Sequence, residues 1–204
     1  MIYYTADLHF GYEPIVSQRP FSNVREMDDA LIRNWNETVK PEDTVYIVGD
    51  FSYNNGQVPG QYFSRLSGRK HLIRGNHDTG LDNASALYQY CESVVDFWEL
   101  EDQGHHVILC HYPIIYEKRG YMIHGHLHAH RNHAYELLCQ LPKVLNCGVD
   151  VNFFRPVTLP QLIENNALFY GPDSRKYFPD YPAVTGPRPG LLPRKPDFRP
   201  LPER

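Results

Sequence analysis

The stretch His124-Gly125-His126-Leu127-His128-Ala129-His130 sets four imidazoles on alternate positions directly after the apolar run Tyr121–Ile123. A short apolar run of this kind reads as a buried strand, so the histidines fall where the chain leaves a sheet. The same arrangement recurs four times upstream. Ile2–Ala6 runs into Asp7-Leu8-His9, Thr44–Val48 into Gly49-Asp50, His71–Arg74 into Gly75-Asn76-His77-Asp78, and Val107–Cys110 into His111. In open α/β sheets, ligands gather beyond the carboxyl ends of the strands. Five strand ends that all carry Asp, Asn or His are not what core packing alone would select.

The remaining elements fit a chain of many short strands with a few helices. Asn23, with Glu26 three residues on, resembles a helix-capping pattern. Met27, Leu31, Trp35 and Val39 then recur every four residues, as one buried helix face does, and Pro41 closes that helix. "NNGQVPG" (54–60) is a loop by its turn residues. A short helix is expected over Gln61–Leu66 and another near Leu162. Further strands are expected over Val94–Leu100, Val144–Asn146 and Arg155–Leu159.

With 204 residues, 42% of them hydrophobic and 13% aromatic, the chain is long and apolar enough for one folded domain. We assign residues 1–170 to that domain and 171–204 to a tail. Nine prolines from Pro172 onward exclude helix and central strand there and leave an extended, turn-rich segment. The tail carries seven cations against four acids, which leaves the rest of the chain at about −7 within an overall −4. Such a segment suits the acidic body or a neighbouring copy, so a homo-oligomer held by the tail is one expectation. The net charge of −4 calls for no obligatory nucleic-acid partner. The four cysteines lack CxxC spacing and read as reduced, mostly buried thiols. No apolar run approaches the roughly 20 residues of a membrane span, and "MIYYTADLHF" is no signal peptide. A cytoplasmic protein without a membrane partner is therefore expected.

The residue types at the five strand ends point to phosphate-ester chemistry. Hydrolysing such an ester requires a nucleophile at neutral pH and neutralisation of phosphate charge. Two divalent cations roughly 3.5–4 Å apart supply both. Cations that close need an anionic bridge, for which Asp50 is the candidate, with Asp7 as a second anion. Neutral imidazoles complete the shells without excess negative charge, and Asn76 offers its amide oxygen. With no thiolate in the set, the donors are oxygen and nitrogen. They suit Mn above all, with Fe, Zn, Co or Ni as alternatives.

The ordered set resembles the calcineurin-like metallophosphoesterase superfamily, over most of the chain to about Leu162. The resemblance implies an α+β, four-layer α/β/β/α sandwich of two mixed β-sheets flanked by helices. It implies one metal held by Asp7, His9, Asp50 and His128, and a second held by Asp50, Asn76, His111 and His126. A metal-bridging hydroxide would attack phosphorus in line. His77 would contact the phosphate or protonate the leaving oxygen, with Asp78 orienting it. "ADLHFGY", "RPF", "EMDDALIRNWNETV" and "DTVYIVGDF" further resemble the small single-domain bacterial and phage members, which often carry His where Tyr12 stands.

Other residues near the motifs admit two readings. Arg74 is a candidate to fork onto phosphate or to pair with a nearby acid, and Arg19 is a weaker case of the same kind. His124 is either a supporting partner to the ligands or a loop residue. His130 and His133 are read as surface, and His105 and His106 as solvated. Phe10, Tyr12 and Tyr112 flank the motifs and are candidates to wall a pocket, with core packing the favoured role for Phe10. The expected function is dinuclear hydrolysis of phosphate esters, leaning to phosphodiesters of nucleotide type, with nucleic acid as one substrate class. The alternatives are a phosphomonoesterase, a scaffold working through its Pro-rich tail, and a metal store.

Overall fold

The protein is described here by a computed structural model covering residues 1–52, 60–78, 87–115 and 120–179. Most of the "NNGQVPG" loop and residues 180–204 lie outside the described residues.

Two four-stranded sheets form the body. The first contains β1 (Ile2–Thr5), β2 (Thr44–Val48), β3 (Arg69–Ile73) and β4 (Ser93–Val95), in that order and all parallel. The second contains β5 (Trp98–Asp102), β6 (His105–Leu109), β7 (Tyr121–His124) and β8 (Val144–Asn146). Here β5 and β6 form an antiparallel hairpin and the other pairings are parallel. The expected two-sheet sandwich is therefore present, with one refinement: only the second sheet is mixed. The two-residue turn of the hairpin has both residues left-handed, Gln103 at φ 51° and Gly104 at φ 78°. That matches the twist of the flanking strands.

Strand alternation builds the layers. Val45 and Ile47 of β2 join Tyr3 and Leu72 in one core, packed with Met27, Leu31 and Trp35 of α1 (Val24–Thr38). Tyr46 and Val48 point the other way, into a core shared with Val107, Leu109, Ile123 and Leu145 of the second sheet. Because β2 is buried on both faces, its sequence is nearly all apolar. The cap of α1 forms as its sequence suggests: the Glu26 N–H donates to Asn23 Oδ1 over 2.9 Å. Trp35, fully buried, donates its Nε1–H to Ser67 O over 2.9 Å.

The edge of β8 is covered by the helix Leu159–Phe169. Asn166 serves both backbone groups of Asn146, accepting its N–H at 2.7 Å and donating to its carbonyl at 3.0 Å. An exposed sheet edge is thereby satisfied by a side-chain amide. Among the described residues no helix is long and apolar enough to cross a membrane.

Several expectations need correction. Val94–Leu100 is not one strand: the chain crosses from β4 to β5 at Asp96 and Phe97, between the two sheets. Asp96 is held there by Arg74, a tertiary pairing that no local pattern reveals. Within 155–159 only Val157 pairs, with Tyr4, and Leu159 already begins a helix. His105 is exposed as expected, but it and the half-buried His106 belong to β6 rather than to the turn. His106 lies within 3.1 Å of Glu99 and 3.3 Å of Glu101. All four cysteines are free, but only Cys91 and Cys147 are buried.

The body also does not end at residue 170. Ser174–Tyr177 form a helical turn. Phe178 is buried, with its ring 5.1 Å from Phe153 and 5.3 Å from Phe169. Arg131 ties this segment down, donating to Ser174 Oγ and to Phe178 O over 3.0 and 2.8 Å. Pro172 and Pro179 flank the turn rather than interrupt it, so proline content alone placed the boundary too early.

Candidate metal centre

Each candidate ligand stands just beyond a strand: Asp7 and His9 after β1, Asp50 after β2, Asn76 after β3, His111 after β6, His126 and His128 after β7. The parallel pairings within each sheet, and the parallel bridge Ala6–Gly148 between them, put all these ends on one side of the sandwich. Five of the seven residues are held in left-handed backbone: Asp7 at φ 57°, His9 at 52°, Asp50 at 53°, His126 at 68° and His128 at 49°. Non-glycine residues rarely adopt this region, and where they do they cluster at functional sites. The backbone strain is an argument for function independent of the side-chain chemistry.

Two glycines permit the close approach. A Cβ on Gly125 would stand 2.6 Å from Ala6 Cβ and 3.0 Å from Asp7 Oδ1. A Cβ on Gly75 would overlap the Asp50 carboxylate and sit 2.6 Å from its backbone nitrogen. Gly75→Ala should therefore displace Asp50 and weaken metal binding by about 10–100-fold, the usual cost of disturbing the support of a ligand. Metal titration of the purified variant checks this, and an unchanged affinity would show that Asp50 does not need the approach.

The side chains converge on two adjoining points. Three overlapping groups of donor atoms lie within 4.8 Å of one another: Asp7, His9 and His128; His9, Asp50 and His77; Asp7, Asp50 and His111. His9 Nε2 is 3.3 Å from His128 Nε2 and 3.6 Å from Asp50 Oδ2. On the other side, His111 Nε2 is 3.4 Å from the same Asp50 oxygen and 3.1 Å from Asn76 Oδ1. Asn76 Oδ1 also lies 2.9 Å from His126 Nδ1. His77 is pinned to Asp50, its backbone N–H donating to Oδ1 over 2.9 Å, with its ring centroid 5.1 Å from that of His9.

The residues present fit divalent cations. Asp7 is completely buried, and its Oδ2 has no hydrogen-bond partner. An orphaned carboxylate oxygen beside imidazole lone pairs is a donor that a cation would satisfy. His111 Nδ1 contacts Val48 O at 2.9 Å and His128 Nδ1 contacts Asp150 Oδ2 at 2.9 Å. With each Nδ1–H donated in this way, Nε2 is left as the coordinating lone pair. The electrostatics agree. Burial pushes the Asp7 carboxyl up and the His9 imidazole down to about 2. Burial alone would also raise Asp50, but the hydrogen bond and charge of His111 outweigh it and hold the carboxyl at about 2. A divalent cation at this point would favour the anionic form of Asp7 as well.

A supporting layer lies behind the ligands. Asp150 accepts from His128 and from Arg19, whose Nε and Nη2 donate over 2.8 and 2.9 Å. Arg19 is fully buried and also donates to the carbonyls of Leu8 and Asp7, over 3.1 and 2.6 Å. It thus clamps the Asp7–His9 turn rather than serving phosphate. Asp150 was not singled out in the sequence. It follows β8 in Asn146-Cys147-Gly148-Val149-Asp150, the same strand-end arrangement, and that signal was available.

Asp78 does not orient His77, as the sequence reading supposed. Its buried carboxylate accepts the backbone N–H groups of Asp50, Phe51 and Gly75, over 2.8, 3.0 and 2.8 Å. It therefore joins the β2 and β3 ends to each other. Burial raises its pKa to about 6 despite these bonds. Arg74 forks onto Asp96 through two 2.8 Å bonds, so its expected phosphate fork is already filled by a carboxylate. His124 is no loop residue: it is completely buried, with Nδ1 2.8 Å from Gly125 O, and burial lowers it to about 4. His130 is exposed, as expected of a surface residue, with its ring 5.7 Å from His128. His133 is exposed at the start of a six-residue helix, His133–Leu138, that the sequence reading passed over.

Comparison with known proteins places this geometry in context. The sequence matches the calcineurin-like phosphoesterase family over residues 1–178. An uncharacterized protein of Methanocaldococcus jannaschii is 34% identical over 170 residues, covering 80% of this chain and 89% of that one. The Gene 66 protein of Mycobacterium phage D29 is 28% identical over 158 residues, 63% of this chain and 78% of the phage protein. Among solved structures, a protein of unknown function from Aquifex aeolicus is similar with a TM-score of 0.63 and 26% identity, covering 80% of this chain and 98% of that one.

Proposed function

The chain belongs to the calcineurin-like phosphoesterase family, metal-dependent hydrolases of phosphate esters, and from that premise we propose that it cleaves phosphodiesters of nucleotide type at a centre of two divalent cations. The observation that carries the reading is Asp50. Its Oδ2 stands 3.6 Å from His9 Nε2 on one side and 3.4 Å from His111 Nε2 on the other, as a carboxylate shared by two cations would. Asp7, His9, Asp50 and His128 would hold one cation; Asp50, Asn76, His111 and His126 would hold the other. The oxygen and nitrogen donors favour Mn, and Fe, Zn, Co and Ni are compatible. When bound, such a pair neutralises phosphate charge and lowers the pKa of water.

The remaining work falls to the chain itself. His128 and His111 are held in one tautomer by Asp150 and Val48 O. Asp78 keeps the Asp50 and Gly75 backbones in register, and Arg19 keeps the Asp7–His9 turn closed. His77, anchored beside Asp50, presents an imidazole that protonates the departing ester oxygen. His77→Gln should lower kcat by about 10²–10⁴-fold, with metal content unchanged. The loss should be large for alkyl leaving groups and small for p-nitrophenolate, which departs without a proton. An equal loss for both would remove His77 as the acid.

Metal analysis together with a panel of monoesters, diesters, cyclic nucleotides and oligonucleotides, run with Mn, Ni, Co and Zn, tests the whole reading. Two metal equivalents and diester cleavage are expected. A metal-loaded chain that cleaves neither p-nitrophenyl phosphate nor bis(p-nitrophenyl) phosphate would sink it.

A further inference from the structure

Two tyrosines stand at opposite ends of the Asp50 bridge. The Tyr12 ring lies 5.8 Å from His9 and 6.1 Å from His77. The Tyr112 ring lies 4.8 Å from His126 and 5.2 Å from His111. Each tyrosine thus rides on the histidines of one half of the centre. The backbone fixes both positions. Tyr12 precedes the 3-10 helix Glu13–Gln18, its N–H donating to His9 O at 3.1 Å and its carbonyl accepting from Ile15 at 3.3 Å. Tyr112 directly follows His111 at the end of β6. Tyr112 is 45% exposed, one of the exposed large hydrophobic side chains among the described residues.

A large aromatic left in water beside His111 and His126 is not explained by core packing. Its position suits a ligand ring instead, since aromatic side chains offer stacking surface to any planar group. In an in-line displacement the attacking and leaving oxygens lie on opposite sides of phosphorus. A monoester extends one arm from the phosphorus, whereas a diester extends two. Paired rings at the two ends of the bridge match two arms.

We propose that Tyr112 and Tyr12 form a two-sided subsite that selects phosphodiesters carrying a planar ring on each arm, with Tyr112 the main determinant of specificity. This rests on the phosphodiesterase reading above. Tyr112 supplies an open stacking face beyond His126, while the half-buried Tyr12 narrows the side shared with His77.

The test compares bis(p-nitrophenyl) phosphate with methyl p-nitrophenyl phosphate, which lacks the second ring. The wild-type chain should show the lower KM for the two-ring ester. Tyr112→Ala should raise that KM by about 5–100-fold, the usual worth of one stacked ring, with a smaller change in kcat, and Tyr112→Phe should restore it. A binding measurement free of turnover accompanies this. The neutral dinucleoside thymidylyl-thymidine methylphosphonate should bind more weakly to Tyr112→Ala by a similar factor, which separates nucleobase recognition from recognition of simple aryl groups. Wild-type turnover with equal KM for the two esters would overturn the subsite and leave the hydrolase reading intact. So would a Tyr112→Ala variant whose kcat falls while its KM holds. No turnover of either diester by the metal-loaded wild type would remove the phosphodiesterase reading and the subsite together. Loss on the diaryl ester with unchanged dinucleoside binding would overturn the nucleotide assignment.

Discussion

Asp50→Asn is expected to purify with less metal than the wild-type chain and to hydrolyse phosphate esters at least about a thousandfold more slowly. The magnitude follows from what a shared carboxylate does. Cation charge stabilisation contributes several kcal/mol to phosphoryl chemistry, and each 1.4 kcal/mol is about tenfold in rate. An amide keeps the size of the side chain but removes the anion that lies between His9 and His111. It also keeps an oxygen able to accept from the His77 N–H, so the fold should survive and thermal melting should change little. Elemental analysis paired with diester turnover measures the effect. Full metal content with full activity in Asp50→Asn would contradict the bridging role.

Arg19→Met carries the largest expected effect on stability. Arg19 is completely buried, forked onto Asp150, and donates to the carbonyls of Asp7 and Leu8. Asp150, whose side chain is only 9% exposed, is held well below the usual carboxylate range: loss of water opposes the shift, but the Arg19 charge and the His128 hydrogen bond outweigh it. Removing one partner of a buried pair leaves an uncompensated charge and costs about 3–5 kcal/mol. For a chain of this size that is a fall in Tm of about 6–20 °C. The double variant Arg19→Met/Asp150→Asn should recover part of the loss, because the amide oxygen still accepts from His128 and no charge is stranded. Urea denaturation of the two single variants and the double variant completes the cycle. A single-variant loss below about 1 kcal/mol would mean that the pair is dispensable.

The sequence showed the centre more clearly than it showed the frame around it. The candidate ligand positions stand out because each obeys a local rule, an apolar strand followed by Asp, Asn, His or Gly, and the rule needs no knowledge of distant parts. Asp150 obeys it too, four residues beyond the end of β8. What stayed hidden depends on long-range pairing. Arg74 and Asp96 are 22 residues apart, and their fork both fills the guanidinium and marks where the chain changes sheets. The apolar residues from Val94 to Leu100 give no hint of that crossing. Arg19 reads as a weak candidate for phosphate because nothing nearby in sequence neutralises it; Asp150 lies 131 residues away. Phe178 was absorbed into the proline-rich tail by composition, although its ring completes a small aromatic core with Phe153 and Phe169.

The left-handed backbone at Asp7, His9, Asp50, His126 and His128 has a consequence for any attempt to improve this protein. Each such residue raises the energy of the native chain by about 1 kcal/mol or more. Glycine would relieve that strain at every one of these positions, and asparagine at several. A screen for heat resistance alone will therefore drift toward these five sites and erase the chemistry as it succeeds. Selection for durability and selection for turnover pull against each other at the same residues, and a useful library must hold those five fixed while it varies the rest.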